Sequence, residues 1–302
     1  MNFLYCFDNN FNLQALNSIN SVIKNSQNSD INFYIIHNSP ESFTRIVNKY
    51  LANYKNQIKI YKFDFDSIEF PKIDKAHISK ATYFRLFFQK YLPQDIDFIT
   101  YIDSDIICLS NPINKIQEMI KKINEYELLI GAVNEGDQNG ENKIRLGLKN
   151  EKYFNAGVMI INLKQWRKKI GIAEIIDCMD KLKNNILWWD QDVLNVLVDG
   201  DYLELSNDLN MKVSDINVKP EESVIFLHYS GKGKPWDNSI FDDERSDFYQ
   251  NEFKKTGFSE YHVDPGKFRE TVMFFRYLLL NKNDKLNKKK LIHSFIKNQF
   301  LA

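Results

Sequence analysis

Two aspartates one residue apart, Asp103-Ser104-Asp105, interrupt an apolar stretch that reads FITYI before them and IICL after them. Unpaired carboxylates in such a setting carry a large desolvation cost. In a regular strand, side chains at i and i+2 share one face, and at a strand end both can turn toward one cation. Clustered carboxylates are natural ligands for Mg²⁺ or Mn²⁺, hard ions that keep positions open for phosphate oxygens. An exposed loop is the plain alternative, and the apolar runs on both sides argue against it. Taken alone, His228, near the end of the apolar run SVIFLHY, reads as a packed histidine more often than as a ligand.

The elements that must carry these residues are legible as alternating periods. Residues 2–7, 31–37 and 58–65 read as strands, as do the two apolar runs of 98–109 around the acidic centre. Between them, 41–54 reads as a helix. So does 79–92, where Phe84, Phe87, Phe88 and Tyr91 recur at i, i+3, i+4 and i+7, with Ser79 placed to cap and Pro93 to stop. Further strands are expected at 127–133, 156–163 and 223–229, with a short helix at 190–198. The polar, glycine-bearing stretch 134–152 reads as a loop or lid. Strands alternating with helices predict an α/β fold with a mostly parallel, doubly wound sheet. In such a sheet, ligands bind at the carboxyl ends of the strands, which is where Asp103 and Asp105 fall.

Composition bounds the function classes. Forty basic residues balance forty acidic ones over 302 residues, which argues against nucleic-acid binding by bulk charge and leaves only a local basic patch open. Hydrophobic residues at 43% and charged residues at 26% are globular rather than disordered values. Cys6, Cys108 and Cys178 are odd in number and widely spaced, with no CxxC. That disfavours a disulfide framework or zinc site and favours a reducing compartment. The first residues, MNFLYCFDNN, have no basic region before the apolar one, and no apolar run is long enough to span a bilayer. A cytoplasmic enzyme or binding protein is the expected class.

The tail differs from the rest. Residues 268–280 are dense in apolar side chains. Residues 282–297 then hold six lysines against Asp284. This suits attachment to an anionic membrane surface, where each basic residue is worth about 1 kcal/mol. It suits equally a helix packed on the core with a solvated charged end. The expected organisation is a catalytic domain over 1–240 and a helical basic region over 241–302.

Three further segments complete a pattern around the Asp-Ser-Asp strand end. They are Tyr153-Phe154-Asn155-Ala156-Gly157-Val158, Asp190-Gln191-Asp192-Val193-Leu194-Asn195, and His228-Tyr229-Ser230-Gly231-Lys232-Gly233-Lys234-Pro235-Trp236. In this order and spacing the chain resembles glycosyltransferase family 8, most closely its bacterial lipopolysaccharide galactosyl- and glucosyltransferases, from Phe3 to about Trp236. A phosphatase of the haloacid dehalogenase type, which also uses an Asp-x-Asp strand end, fits less well. Ile107 stands where its Thr or Val belongs, and three strand units precede the motif.

The resemblance implies a single Rossmann-like domain of the GT-A type, a UDP-hexose donor (UDP-galactose or UDP-glucose), and Mn²⁺ bridging the two phosphates, with Mg²⁺ as the second choice. Asp103 and Asp105 match the metal carboxylates, with Ser104 between them, and His228 matches the metal imidazole. Lys234 matches a lysine on the diphosphate, and Gly231 and Gly233 would let the backbone approach its oxygens. Cys6 and Asp8 fall where uracil is cradled and Asn10 where the ribose is touched; a carboxylate can accept from uracil N3–H. Arg85, on the 79–92 helix, matches a sugar-side arginine, although a salt bridge flanking the core would also explain it. Asn155, Asp190 and Gln191 match donor-sugar contacts. An acidic sugar contact is expected after strand 127–133, and Glu135 fits it better than Asn134.

The family retains anomeric configuration. Two routes stay open, a double displacement and a front-face attack. A neutral amide is a poor nucleophile, which favours Gln191 as a stabiliser of positive charge. The acceptor implied is a glycan or glycolipid of the bacterial surface. The alternatives are a non-catalytic UDP-sugar-binding protein, against which the intact Asp103-Ser104-Asp105, Asn155, Gln191 and His228 argue, and a glycogenin-like self-glycosylating primer, whose acceptor the chain's 15 tyrosines do not single out.

Overall fold

The computed structural model describes residues 1–26, 29–64, 68, 70–71, 80–149, 151–215, 220, 222–231, 233–237, 244–264, 268–280 and 287–301. His77, Ser79, Lys232, Lys282 and Lys285 therefore lie outside the described residues. The strands are β1 (Asn2–Phe7), β2 (Asn32–His37), β3 (Ile58–Lys62), β4 (Phe98–Ile102), β5 (Ile106–Cys108), β6 (Ile130–Asn134), β7 (Phe154–Asn162), β8 (Tyr202–Glu204), β9 (Met211–Lys212) and β10 (Phe226–His228). The α-helices are α1 (Asn12–Asn25), α2 (Pro40–Tyr50), α3 (Ile113–Glu125), α4 (Glu141–Leu146), α5 (Leu163–Lys169), α6 (Ile172–Leu182), α7 (Trp189–Val198), α8 (Glu244–Lys254), α9 (Phe268–Leu280) and α10 (Lys288–Leu301).

Seven strands form one sheet in the order β3-β2-β1-β4-β7-β6-β8. Its pairings are parallel except where β7 runs against β4 and β6. The α/β sheet expected from alternation is present, flanked by helices. Period two sorts the β1 side chains: Phe3, Tyr5 and Phe7 enter the core on one face with α1, α2 and α3, and Leu4 enters the core on the other. Strand β7 sits between neighbours with both faces covered, so every one of its residues is buried.

A second, small sheet positions the chemistry. It joins β5, β10 and β9, with His228 opposite Ile106 across an antiparallel pair and Lys212 beside His228 across a parallel one. That register sets the end of β10 directly against the turn holding Asp105. The expected strand at 223–229 is thus shorter, and its role is to deliver one histidine.

The aromatic segment expected as an amphipathic helix is a 3₁₀ helix, Lys80–Lys90. It packs against β1, β2 and α7, and Ala81 and residues 83–88 are all buried. The polar stretch 134–152 carries a short helix of its own, α4. The core extends past residue 240, because Tyr249 and Phe253 of α8, with Phe258, share the cluster containing Phe3 and Phe33. A separate small cluster, Val263, Phe274, Leu278 and Leu291, joins α9 to α10.

Candidate active site

Strand β4 ends at Ile102, and the chain turns through Asp103-Ser104-Asp105 before β5 begins. The Asp103 N–H donates to Gly157 O of β7 at 2.8 Å, extending the β4–β7 ladder by one residue. The turn frees both carboxylates from the strand's period. One ligand atom each from Asp103, Asp105 and His228 lies within 4.8 Å of the others. His228 Nε2 is 3.3 Å from Asp105 Oδ1. Two carboxylate oxygens and one imidazole nitrogen, gathered from two sheets, form a donor set suited to a divalent cation. Ser104 is buried between them, and its hydroxyl has no partner among the described residues.

The two carboxylates are pushed apart electrostatically. Burial raises the Asp103 carboxyl, and the charge of Asp105 adds to that rise against the pull of Arg85. Burial acts on Asp105 too, but Lys234 and His228 outweigh it and hold that carboxyl well below its usual range. Lys234 Nζ donates to Asp105 Oδ2 and to Tyr229 O, both at 2.6 Å. Gly231 and Gly233 before it both have φ +78°, a left-handed conformation that glycine adopts without strain.

Arg85 is the hub of the opposite wall. Its Nη1 donates to Asp103 Oδ1 and to Ala156 O, each at 2.9 Å, and its Nε donates to Asp190. Its guanidinium lies 5.0 Å from the centre of the Tyr101 ring, and the Tyr101 hydroxyl donates to Asp103. Asp190, only 1% exposed, accepts from Arg85 and from the Thr82 hydroxyl. These contacts place Arg85 and Asp190 inside the cluster, each held by protein partners.

Gln191 is set on both ends of its amide. Its Oε1 accepts from Ala156 N at 3.0 Å, and its Nε2 donates to Glu135 Oε2 and Tyr153 Oη, both at 3.2 Å. Asn134 and Glu135 turn to different partners. Glu135 meets Gln191, Asn155 and Lys212, whereas the Asn134 side chain accepts from Gly136 N and Tyr202 Oη. Asn155 Oδ1 accepts from Gly157 N and Asn210 Nδ2, each at 2.9 Å.

The residues expected around the base leave the sheet at the same edge. Strand β1 runs parallel to β4, so Asp8 emerges beside the Asp103 turn. Asp8 is buried and accepts from Asn10 N at 3.0 Å, capping a one-turn 3₁₀ helix whose Asn10 is exposed. Burial pushes the Cys6 thiol well up, with Arg85 opposing and Asp103 and Asp190 reinforcing, so Cys6 is not a thiolate.

Several participants escaped the sequence reading. Gly157 was read only as part of its segment, without this role: a Cβ there would stand 2.4 Å from His228 Cε1. A glycine inside a strand pattern is the signal that could have found it. Asn210, Tyr101 and Lys212 carried no signal at all. Asp192 lies in a quoted motif, yet its carboxylate is fully buried and serves the frame. It accepts from Arg145 at 2.7 and 2.9 Å, from Tyr153 Oη at 2.7 Å, and from Leu187 and Trp188 N–H.

A mainly parallel sheet with a carboxylate–imidazole group suited to a cation at the carboxyl end of a central strand fits the GT-A class of glycosyltransferases. Residues 2–239 match the model of glycosyl transferase family 8. The chain belongs to this family and is a glycosyltransferase. A Haemophilus influenzae relative whose own glycosyltransferase assignment is provisional is 30% identical over 250 residues, covering 78% of this chain and 73% of that one. A lipopolysaccharide 1,3-galactosyltransferase of Salmonella typhimurium is 28% identical, covering 78% and 72% respectively. The galactosyltransferase LgtC, solved with donor and acceptor sugar analogues, superposes with a TM-score of 0.72 at 22% identity, over 89% of this chain and 99% of that one. That superposition confirms the fold.

Proposed function

We propose that this chain is a retaining hexosyltransferase that uses a divalent cation, Mn²⁺ before Mg²⁺, to move galactose or glucose from a UDP-sugar. The acceptor is a bacterial surface glycan such as lipopolysaccharide, and the new linkage is α. The observation that carries this reading is the convergence of Asp103, Asp105 and His228 from distant parts of the chain. The lipopolysaccharide glucosyl- and galactosyltransferases among the relatives support the substrate class.

In this reading Asp103, Asp105 and His228 hold the cation, which acts when bound as a Lewis acid on the leaving diphosphate. Lys234 lies on Asp105 and is placed to transfer its charge to the diphosphate. Asp8, Asn10 and Cys6 line the uridine side; Asn155, Glu135, Arg85 and Asp190 line the sugar side. Gln191 Oε1 has one lone pair taken by Ala156 N–H, and its second is left for positive charge developing at the anomeric carbon. Asp190, the adjacent carboxylate, is enclosed by Arg85 and Thr82, which supports front-face attack over a double displacement through that residue.

We place the enzyme in the cytoplasm at an anionic membrane surface. Among the described residues no helix is long and apolar enough to cross a membrane. The α9–α10 pair exposes Val272, Phe275, Leu279, Ile292 and Ile296, with Lys288 and Lys289 also exposed. Lys290 pairs with Glu260, and Lys297 donates to Phe258 O, so part of the basic cluster turns back to the protein.

A donor screen tests the reading. With Mn²⁺ present, UDP release is expected from UDP-galactose or UDP-glucose and is abolished by a chelator. Turnover that persists in excess chelator, or no release from any UDP-hexose, contradicts it.

A further inference from the structure

The imidazole of His228 is held by a chain of polarity that starts at the backbone. Gly157 N–H can only donate, and it donates to Asn155 Oδ1 at 2.9 Å. The Asn155 oxygen therefore faces inward, and the group that Asn210 turns toward it at 2.9 Å is the amide NH₂. Asn210 is 3% exposed and has its carbonyl oxygen left for the other side, 2.9 Å from His228 Nδ1. An acceptor at that position requires the proton on Nδ1. The lone pair of the neutral ring then sits on Nε2, the nitrogen that lies 3.3 Å from Asp105 Oδ1. Gly157 serves twice, because it also leaves the space that the ring fills.

We infer that Asn210 is a positioning residue for the cation site. It is the last link of a relay from Gly157 through Asn155 that fixes both the tautomer and the tilt of His228, so that Nε2 presents its lone pair beside Asp103 and Asp105. The inference rests on the cation reading of that group. Hydrogen-bonded partners behind metal imidazoles typically change affinity by about 10–100-fold when removed. The relay also gives Asn155 a second role. Its oxygen is occupied, and its NH₂ remains, 3.5 Å from Glu135 Oε2.

The test is Mn²⁺ binding by the full chain, followed by electron paramagnetic resonance without any sugar donor. Asn210→Leu, similar in size and without an acceptor, is expected to weaken Mn²⁺ binding about 10–100-fold. Asn210→Asp, which keeps an acceptor at Nδ1 but loses the donor to Asn155 Oδ1, is expected to weaken Mn²⁺ binding less than Asn210→Leu does. Parental affinity in Asn210→Leu would overturn the relay. His228→Ala separates the two claims. If His228→Ala loses Mn²⁺ while Asn210→Leu keeps it, the relay alone fails; if both keep it, the cation reading fails as well. A second readout needs no variant. Long-range ¹H–¹⁵N spectra of the protein loaded with a diamagnetic divalent cation such as Cd²⁺ are expected to show the His228 proton on Nδ1, and a proton on Nε2 with Nδ1 bare would overturn the inference.

Discussion

Asp103 and Asp105 differ by one residue in sequence and by opposite electrostatic surroundings in space. Asp103 is raised by burial and by its neighbour, and Asp105 is held low by Lys234 and His228. A cation bound between them would relieve the repulsion. Asp103→Asn removes one ligand while keeping the shape of the side chain, so the fold should persist. Metal assistance is worth several kcal/mol, so UDP-hexose turnover should fall by at least about 10²-fold, measured as UDP release. Gly157→Ala probes the same site from the backbone. Its Cβ would meet the His228 ring at 2.4 Å. We expect a loss of stability of about 1–3 kcal/mol in urea unfolding and a parallel loss of Mn²⁺ affinity. The aspartates were legible because two charges inside an apolar run demand a partner. Asn210 was not, because nothing local marks a buried amide whose partners among the described residues are 18 and 55 residues away.

The N-terminus of α7 shows how one buried side chain frames an element. Asp192 ties Arg145 of α4, the Tyr153 hydroxyl before β7, and the N–H groups of Leu187 and Trp188 into one knot. Trp189, between that knot and Gln191, holds a left-handed φ of +49°. A bulky residue does so only where its surroundings over-determine it. Asp192→Ala leaves Arg145 without its carboxylate and should cost about 3–5 kcal/mol in urea unfolding. Asp192→Asn keeps a neutral acceptor for the two N–H groups and should cost less. The helical period and the acidic first turn of α7 could be seen in the sequence. The aromatic segment over Lys80–Lys90 shows where periodicity stops helping. Its apolar stripe predicted one buried face, but the sheet and α7 cover it on several sides, and the helix tightens to 3₁₀. Only tertiary contact decides that.

At the scale of the molecule, the catalytic sheet and its C-terminal extension share one core through α8. His262 marks the seam. Its ring stacks on Trp236 and Phe253 and pairs with Tyr249 Oη at 2.7 Å. Burial pushes its imidazole down to about 3. The folded state thus resists a proton that the unfolded chain accepts near pH 6.5. Its contribution is complete above that pH and is lost as pH falls toward 3, by at most about 1.4 kcal/mol per pH unit. His262→Phe should flatten the dependence of melting temperature on pH between about 6 and 4, and an unchanged slope would assign acid lability elsewhere. The α9–α10 face makes a separate prediction. Removing residues 282–302 should release the protein from anionic vesicles in a sedimentation assay while UDP binding is kept, and unchanged sedimentation would refute attachment through this region. The tail's apolar and basic composition was plain in the sequence. The inward turn of Lys290 and Lys297 was not, since each partner lies at least 30 residues away.

The central claim is that three side chains share one cation. Anomalous diffraction at the manganese edge, from crystals soaked with Mn²⁺ and UDP, tests it most directly. We expect a single peak bonded to an oxygen of Asp103, an oxygen of Asp105 and Nε2 of His228, with UDP phosphate oxygens completing the shell. Manganese bound elsewhere, or UDP bound with these three side chains not sharing an ion, would contradict the account.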